Sequence, residues 1–129
     1  MIYLDASALV TWVARRQYVV ALEKFVGKGV TQTCTSTVGL VETVRTCTRL
    51  GNFPRLMATL LDDHVQIPLS DQVRDAAANF AGPVRSLDAI HIASAELLGS
   101  ELTALVTYDK RMATAASNAG LPVETPGMQ

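Results

Sequence analysis

The amino-acid sequence predicts an α/β fold, a three-layer sandwich with a central parallel sheet of four to five strands. Short apolar runs rich in β-formers alternate with amphipathic helical segments along the whole chain, the pattern that a parallel sheet covered by helices produces. No repeat, low-complexity stretch or linker interrupts the alternation. At 129 residues the chain is long enough for one core and too short for two ordinary ones, so residues 1–129 read as a single domain.

Each element has its own signals. Ile2-Tyr3-Leu4 is a first strand ending at Asp5, and Ser7 to Val13 follow as a helix carrying Leu9, Val10 and Val13. Val19 to Val26 place Val19, Leu22, Phe25 and Val26 at helical spacing, with Gly27 as the stop and a loop at Gly27-Lys28-Gly29. Val30 to Thr35 is β-branched and predicts a strand; Ser36 or Thr37 then caps a helix bearing Val38, Val41, Glu42, Val44 and Arg45. After Gly51-Asn52-Phe53, Pro54 suits the first turn of a helix with Leu56, Met57, Leu60 and Leu61. Val65 to Pro68 is a short strand, and Ser70 starts a helix containing Val73, Ala76, Ala77 and Phe80 that ends at Gly82-Pro83. Ser86 opens a helix whose buried stripe is predicted as Leu87, Ile90, His91, Ser94, Leu97 and Leu98, stopped by Gly99. Leu102 to Thr107 is a strand leading to Tyr108-Asp109, Arg111 to Asn118 a helix stopped by Gly120, and Pro122 to Glu124 a last strand.

Composition narrows the function classes. Apolar residues make up 49% and charged residues 18%, which excludes intrinsic disorder and leaves an apolar surplus compatible with an interface. The start, Met1-Ile2-Tyr3-Leu4-Asp5, has no basic region before its apolar stretch and so does not read as a secretory leader. The longest charge-free stretch, Gly29 to Val41, is polar in part and short of the ~20 apolar residues of a membrane span. A soluble, cytoplasmic protein is expected. Cys34 and Cys47 show no metal-binding pattern with His64 or His91 and read as buried thiols.

Four acids, Asp5, Glu42, Asp88 and Asp109, are candidates for chemistry. Ligands bind outside the carboxyl ends of the strands, where Asp5 and Asp109 are predicted to point into one crevice. Each acid also has a purely structural explanation: Asp5 and Asp109 as helix caps, Glu42 as an exposed residue pairing with Arg45, Asp88 as a favourable charge in a first turn. Four such coincidences are harder to accept than one site.

Taken together, Ile2-Tyr3-Leu4-Asp5-Ala6-Ser7-Ala8-Leu9, Ser36 through Glu42, Arg85-Ser86-Leu87-Asp88-Ala89-Ile90-His91-Ile92-Ala93 and Thr107-Tyr108-Asp109-Lys110-Arg111-Met112 resemble the landmarks of the PIN-domain ribonucleases, most closely VapC-type toxins of toxin–antitoxin systems. The resemblance spans nearly the whole chain and implies a PIN-like fold. It further implies that Asp5, Glu42, Asp88 and Asp109 form an acidic pocket binding Mg²⁺ or Mn²⁺, with Ser7 and Thr107 as polar neighbours. It also implies a VapB-type antitoxin that blocks the pocket, and a toxin homodimer within a larger complex.

The residue types suit that chemistry. Carboxylate oxygens are hard donors matched to Mg²⁺ and Mn²⁺, and a bound ion activates water and stabilises charge on a phosphodiester. Ionised acids ~4 Å apart repel by roughly 4 kcal/mol at an effective dielectric of about 20, so an ion-free pocket is expected to be strained or partly protonated. The predicted reaction is in-line hydrolysis of RNA without a covalent intermediate. Ser7 lacks a histidine base and is expected to support Asp5; His91, Tyr3 and Trp12 are expected to pack in the core. A Mg²⁺-dependent hydrolase of small phosphate esters would explain Asp5 and Asp109 but leaves Glu42 and Asp88 idle, and a silent RNA-binding module would be expected to have lost a pocket acid. Charge fits RNA as well. The total of 11 basic and 12 acidic residues is nearly balanced, but without the four acids 8 remain against 11, a net of +3, and Arg45, Arg85, Lys110 and Arg111 lie close to pocket acids as candidate phosphate contacts.

Overall fold

The computed structural model describes residues 1–27 and 31–128. Its strands are β1 (Ile2–Leu4), β2 (Thr33–Ser36), β3 (Val65–Ile67), β4 (Ala104–Val106) and β5 (Val123–Glu124). The helices are α1 (Ala6–Val13), α2 (Val19–Val26), α3 (Thr37–Leu50), α4 (Leu56–Asp63), α5 (Asp71–Ala78), α6 (Ser86–Glu96) and α7 (Lys110–Asn118). The strands form one parallel sheet ordered β3-β2-β1-β4-β5, so the predicted architecture is present.

Alternation along the strands divides the core. Tyr3 lies in register with Cys34 and Leu105, and this row packs with Ile67, Ile92, Ala95, Met112 and Ala116 beneath α6 and α7. Ile2 and Leu4 point to the other face, where they meet Leu9, Leu22, Leu40, Leu60 and Val106 beneath α1 to α4. Burial of each leucine contributes about 1.5–3 kcal/mol. Both cysteines are free and buried, and burial pushes the Cys34 thiol up to about 11.

One edge of the sheet is built from helix caps. Asp5 accepts from Ala8 N at 2.9 Å, Ser36 from Gly39 N at 3.0 Å, Ser70 from Val73 N at 3.2 Å and Asp109 from Arg111 N at 2.9 Å. Each such cap is worth ~1 kcal/mol, and the helix starts they mark present positive dipole ends at the carboxyl edge. Gly39 is required by proximity: a Cβ there would lie 2.1 Å from Thr35 Oγ1 and 3.3 Å from His91 Cε1. Its absence lets the start of α3 close on β2 and α6.

Three local expectations differ. Pro54 lies in a turn ahead of α4, whose N-cap Arg55 is left-handed at φ 56°. The strand predicted from Val30 begins at Thr33, and Val30, Lys28 and Gly29 lie outside the described residues. Leu87 in α6 and Leu97 at its C-cap are exposed, whereas Asp88, Ala89, His91, Ile92, Ala93, Ser94 and Ala95 are buried. The reason is that α6 is enclosed by β2, α3 and α5, and its small residues let these neighbours approach on most sides, so no single stripe is selected. Among the described residues no helix is long and apolar enough to cross a membrane.

Candidate active site

The chain builds outward from β1 through β2 to β3, then crosses back to place β4 on the other side of β1. The connections diverge between β1 and β4, the topological switch point where such sheets bind ligands. Asp5 and Thr107 are the first residues beyond those two strands.

Asp5 is 3% exposed and held on both oxygens. Oδ1 accepts from the Ser7 hydroxyl at 2.7 Å and from Ala8 N, and Oδ2 accepts from the Thr107 hydroxyl. These hydroxyls are braced in turn: Ser7 Oγ accepts from Tyr108 N at 2.8 Å and Thr107 Oγ1 from Asp109 N at 3.0 Å. Burial pushes the Asp5 carboxyl above its ordinary value, while His91, Ser7, Thr107 and the Ala8 amide pull it back. Ser7 and Thr107 are therefore hydrogen-bonded neighbours of Asp5.

Asp88 and Asp109 are joined by one guanidinium. Arg85 places Nε 3.3 Å from Asp88 Oδ2 and Nη2 3.2 Å from Asp109 Oδ2. Asp88 stands in the first turn of α6 and Asp109 caps α7. The capping explanation holds for Asp109, whose amide is also joined to Asp5 through Thr107 Oγ1.

Glu42 does not pair with Arg45. Its Oε1 lies 2.7 Å from His91 Nε2, and His91 Nδ1 lies 2.7 Å from the Tyr3 hydroxyl. Burial pushes the Tyr3 phenol up, so it stays protonated and its hydroxyl serves as the hydrogen-bond partner of Nδ1. The Tyr3 hydroxyl and the Glu42 carboxylate thus hold the two ring nitrogens of His91. His91 is buried, as its sequence context suggested, yet it also orients an acid. Three residues after Asp88, His91 shares its helix face, a spacing that a core histidine has equally.

Among the described residues, no three acid, histidine or cysteine side chains already converge as ligands for an ion. The expected like-charge strain is answered from within, because Arg85 neutralises two acids, His91 holds a third and hydroxyls hold the fourth. Of the other bases, Arg45 lines a hollow with Glu42, Thr46, Arg49 and Leu87. Lys110 and Arg111 are exposed, and Arg111 reaches Asp109 through its backbone amide.

The PIN domain family model matches residues 2–118. The chain belongs to the PIN domain family. It is 36% identical, over 98% of each chain, to Ribonuclease VapC47 of Mycobacterium tuberculosis (strain CDC 1551 / Oshkosh). It is 33% identical, over 97% of each, to Ribonuclease VapC46 of Mycobacterium tuberculosis (strain ATCC 25618 / H37Rv). The crystal structure of Mycobacterium tuberculosis VapC20, a sarcin-ricin loop cleaving toxin, superposes with a TM-score of 0.73 at 16% identity, covering 98% of this chain and 99% of that one. That likeness shows the PIN fold, with its parallel sheet and two helical layers.

Proposed function

We propose that residues 1–129 act as one PIN domain, a metal-dependent endoribonuclease toxin whose acidic centre is Asp5, Glu42, Asp88 and Asp109. The observation that carries the reading is a chain of contacts at the switch point, in which Thr107 joins Asp5 to the Asp109 amide and Arg85 joins the Asp109 and Asp88 carboxylates. Curated relatives aligned over nearly the whole chain are named ribonucleases.

The donor set fits a hard divalent cation, Mg²⁺ or Mn²⁺, because it is all oxygen. A positive group already sits between two of the carboxylates, and that group, Arg85, is 67% exposed. Asp5, Glu42, Asp88 and Asp109 would hold the cation, which when bound supplies an acidified water and neutralises phosphate charge. The protein's own contribution is orientation. Ser7 and Thr107 fix Asp5, His91 fixes Glu42, and the Arg85 guanidinium offers a fork matched to a phosphate. Ser7 Oγ donates to Asp5 and accepts from Tyr108 N, an engagement that favours water as the nucleophile and hydrolysis without a covalent intermediate.

The same reading carries a VapB-type antitoxin as partner, RNA as substrate, a toxin homodimer within a larger complex and a cytoplasmic location. Val20, Val41 and Leu50 are exposed large apolar side chains, in keeping with protein partners.

The test incubates purified, partner-free protein with structured RNAs and with a small phosphate ester, each with Mg²⁺, Mn²⁺ or chelator. RNA is expected to be cut only with metal; ester turnover without RNA cleavage overturns the reading. Arg85→Gln adds a binding readout. Removing two ion pairs whose arginine end is exposed, each worth roughly 0.2–1 kcal/mol, is expected to lower the half-saturating Mn²⁺ concentration about two- to thirtyfold by calorimetry. Unchanged or weaker Mn²⁺ binding would show that Arg85 does not stand in a cation's place.

A further inference from the structure

Beside the acids lies a cavity of about 340 Å³ whose lining includes Ser7, Arg16, Gln17, Tyr18, Glu42, Thr46 and Tyr108. We infer that this cavity is a nucleotide subsite that reads the RNA base next to the scissile phosphate. The inference rests on the ribonuclease reading and adds to it a place where sequence is chosen.

Size and position come first. The volume falls in the ~300–1,000 Å³ range of small-ligand pockets, enough for one unstacked base with its ribose. Ser7 touches Asp5, and Glu42 is one of the four acids, so an occupant adjoins the reacting phosphate.

The lining chemistry matches a single-stranded nucleotide. Tyr18 and Tyr108 stack on each other with centroids 5.3 Å apart and planes 17° from parallel, and aromatic faces are the usual platform for unstacked bases. Tyr108 is fixed through its hydroxyl, which donates to Pro126 O at 2.8 Å. Gln17 offers an amide donor and acceptor for a base edge. Thr46 offers a hydroxyl: Thr43 and Thr48 on the same helix bond back to Gly39 O and Val44 O, but among the described residues Thr46 makes no such bond. Arg16 makes no ion pair among the described residues and is available for a phosphate.

The turn presenting these groups is strained on both sides. Arg15 and Tyr18 have φ of 55° and 76°, a region that non-glycine residues occupy only when their surroundings demand it. Arg15 is anchored to Glu23 at 2.8 Å and Tyr18 by its stack on Tyr108. Between those anchors the chain sets out Arg16 and Gln17 toward the cavity.

The experiment digests an oligoribonucleotide pool, randomised around a cut site, with the full-length wild type, Gln17→Ala and Thr46→Val, and sequences the new ends. Thermal melting confirms that both variants fold. Base preference at one position flanking the cut is expected to fall about tenfold in Gln17→Ala and by less in Thr46→Val. Preferences elsewhere and the metal requirement are expected to stay as in the wild type. A wild-type profile that is flat beside the cut, a variant profile identical to wild type, or a uniform loss at every position overturns the inference while leaving the ribonuclease reading intact. A wild type that cuts no RNA with Mg²⁺ or Mn²⁺ overturns both.

Discussion

Asp5→Asn is expected to reduce RNA cleavage by at least about a hundredfold, the scale on which groups orienting or binding a catalytic ion act, while removing a pH-dependent burden on stability. Folding raises the Asp5 carboxyl above its ordinary 3.8, chiefly by burial. As pH climbs past the unfolded value, the unfolded chain releases this proton first and the native state keeps it. Native protein then binds more protons, so stability falls with rising pH until the folded value is passed, and the loss persists above it. Asparagine carries no such charge. Its amide must oppose one of three donors now serving Asp5, and Thr107 is the most adaptable, because its hydroxyl can turn and accept. That exchange costs about 0.5–1.5 kcal/mol and does not vary with pH. Measured in chelator, the variant's Tm is therefore expected to gain on the wild type's as pH rises from 4 toward neutrality. Retained cleavage would remove Asp5 from the metal site; parallel Tm curves would show that its buried charge is not a burden.

The fold was legible because its cues are local. Asp5, Ser36, Ser70 and Asp109 each precede a helix and follow a strand or its short extension, and capping chemistry acts within three residues. Asp5 and Asp109 were legible for the same reason, because they follow strands that lead into the crevice, whereas Glu42 and Asp88 lie on helices and joined them only through the family resemblance. What escaped the sequence was pairing across the chain. Glu42 meets His91 rather than nearby Arg45, and Tyr3 reaches His91 across 88 positions. Nothing local distinguishes a histidine that merely packs from one that packs and also holds an acid. The α6 stripe failed similarly, since burial of Asp88 and exposure of Leu87 follow from enclosure by three other elements. Arg85 was read as a phosphate contact, and its bridge between Asp88 and Asp109 depends on two helix starts meeting in space.

That cross-chain relay yields the second large effect. Tyr3→Phe removes the hydroxyl that holds His91 Nδ1 and leaves a buried ring nitrogen unpaired, at about 1–3 kcal/mol. His91→Ala removes the ring as well and is expected to cost more. If His91 orients Glu42, Tyr3→Phe should lower kcat about tenfold and His91→Ala up to about a hundredfold, the range seen when outer groups stop orienting metal ligands. KM for RNA should change little, because neither residue lines the cavity beside the acids. Core damage alone could also slow the enzyme, so the discriminating measurement is a double-mutant cycle. In a Glu42→Gln background there is no carboxylate left to orient. Tyr3→Phe should then have almost no further effect on kcat, although its effect on Tm should persist. Equal losses of kcat in both backgrounds would mean that the Tyr3 and His91 pair supports the core without acting through Glu42.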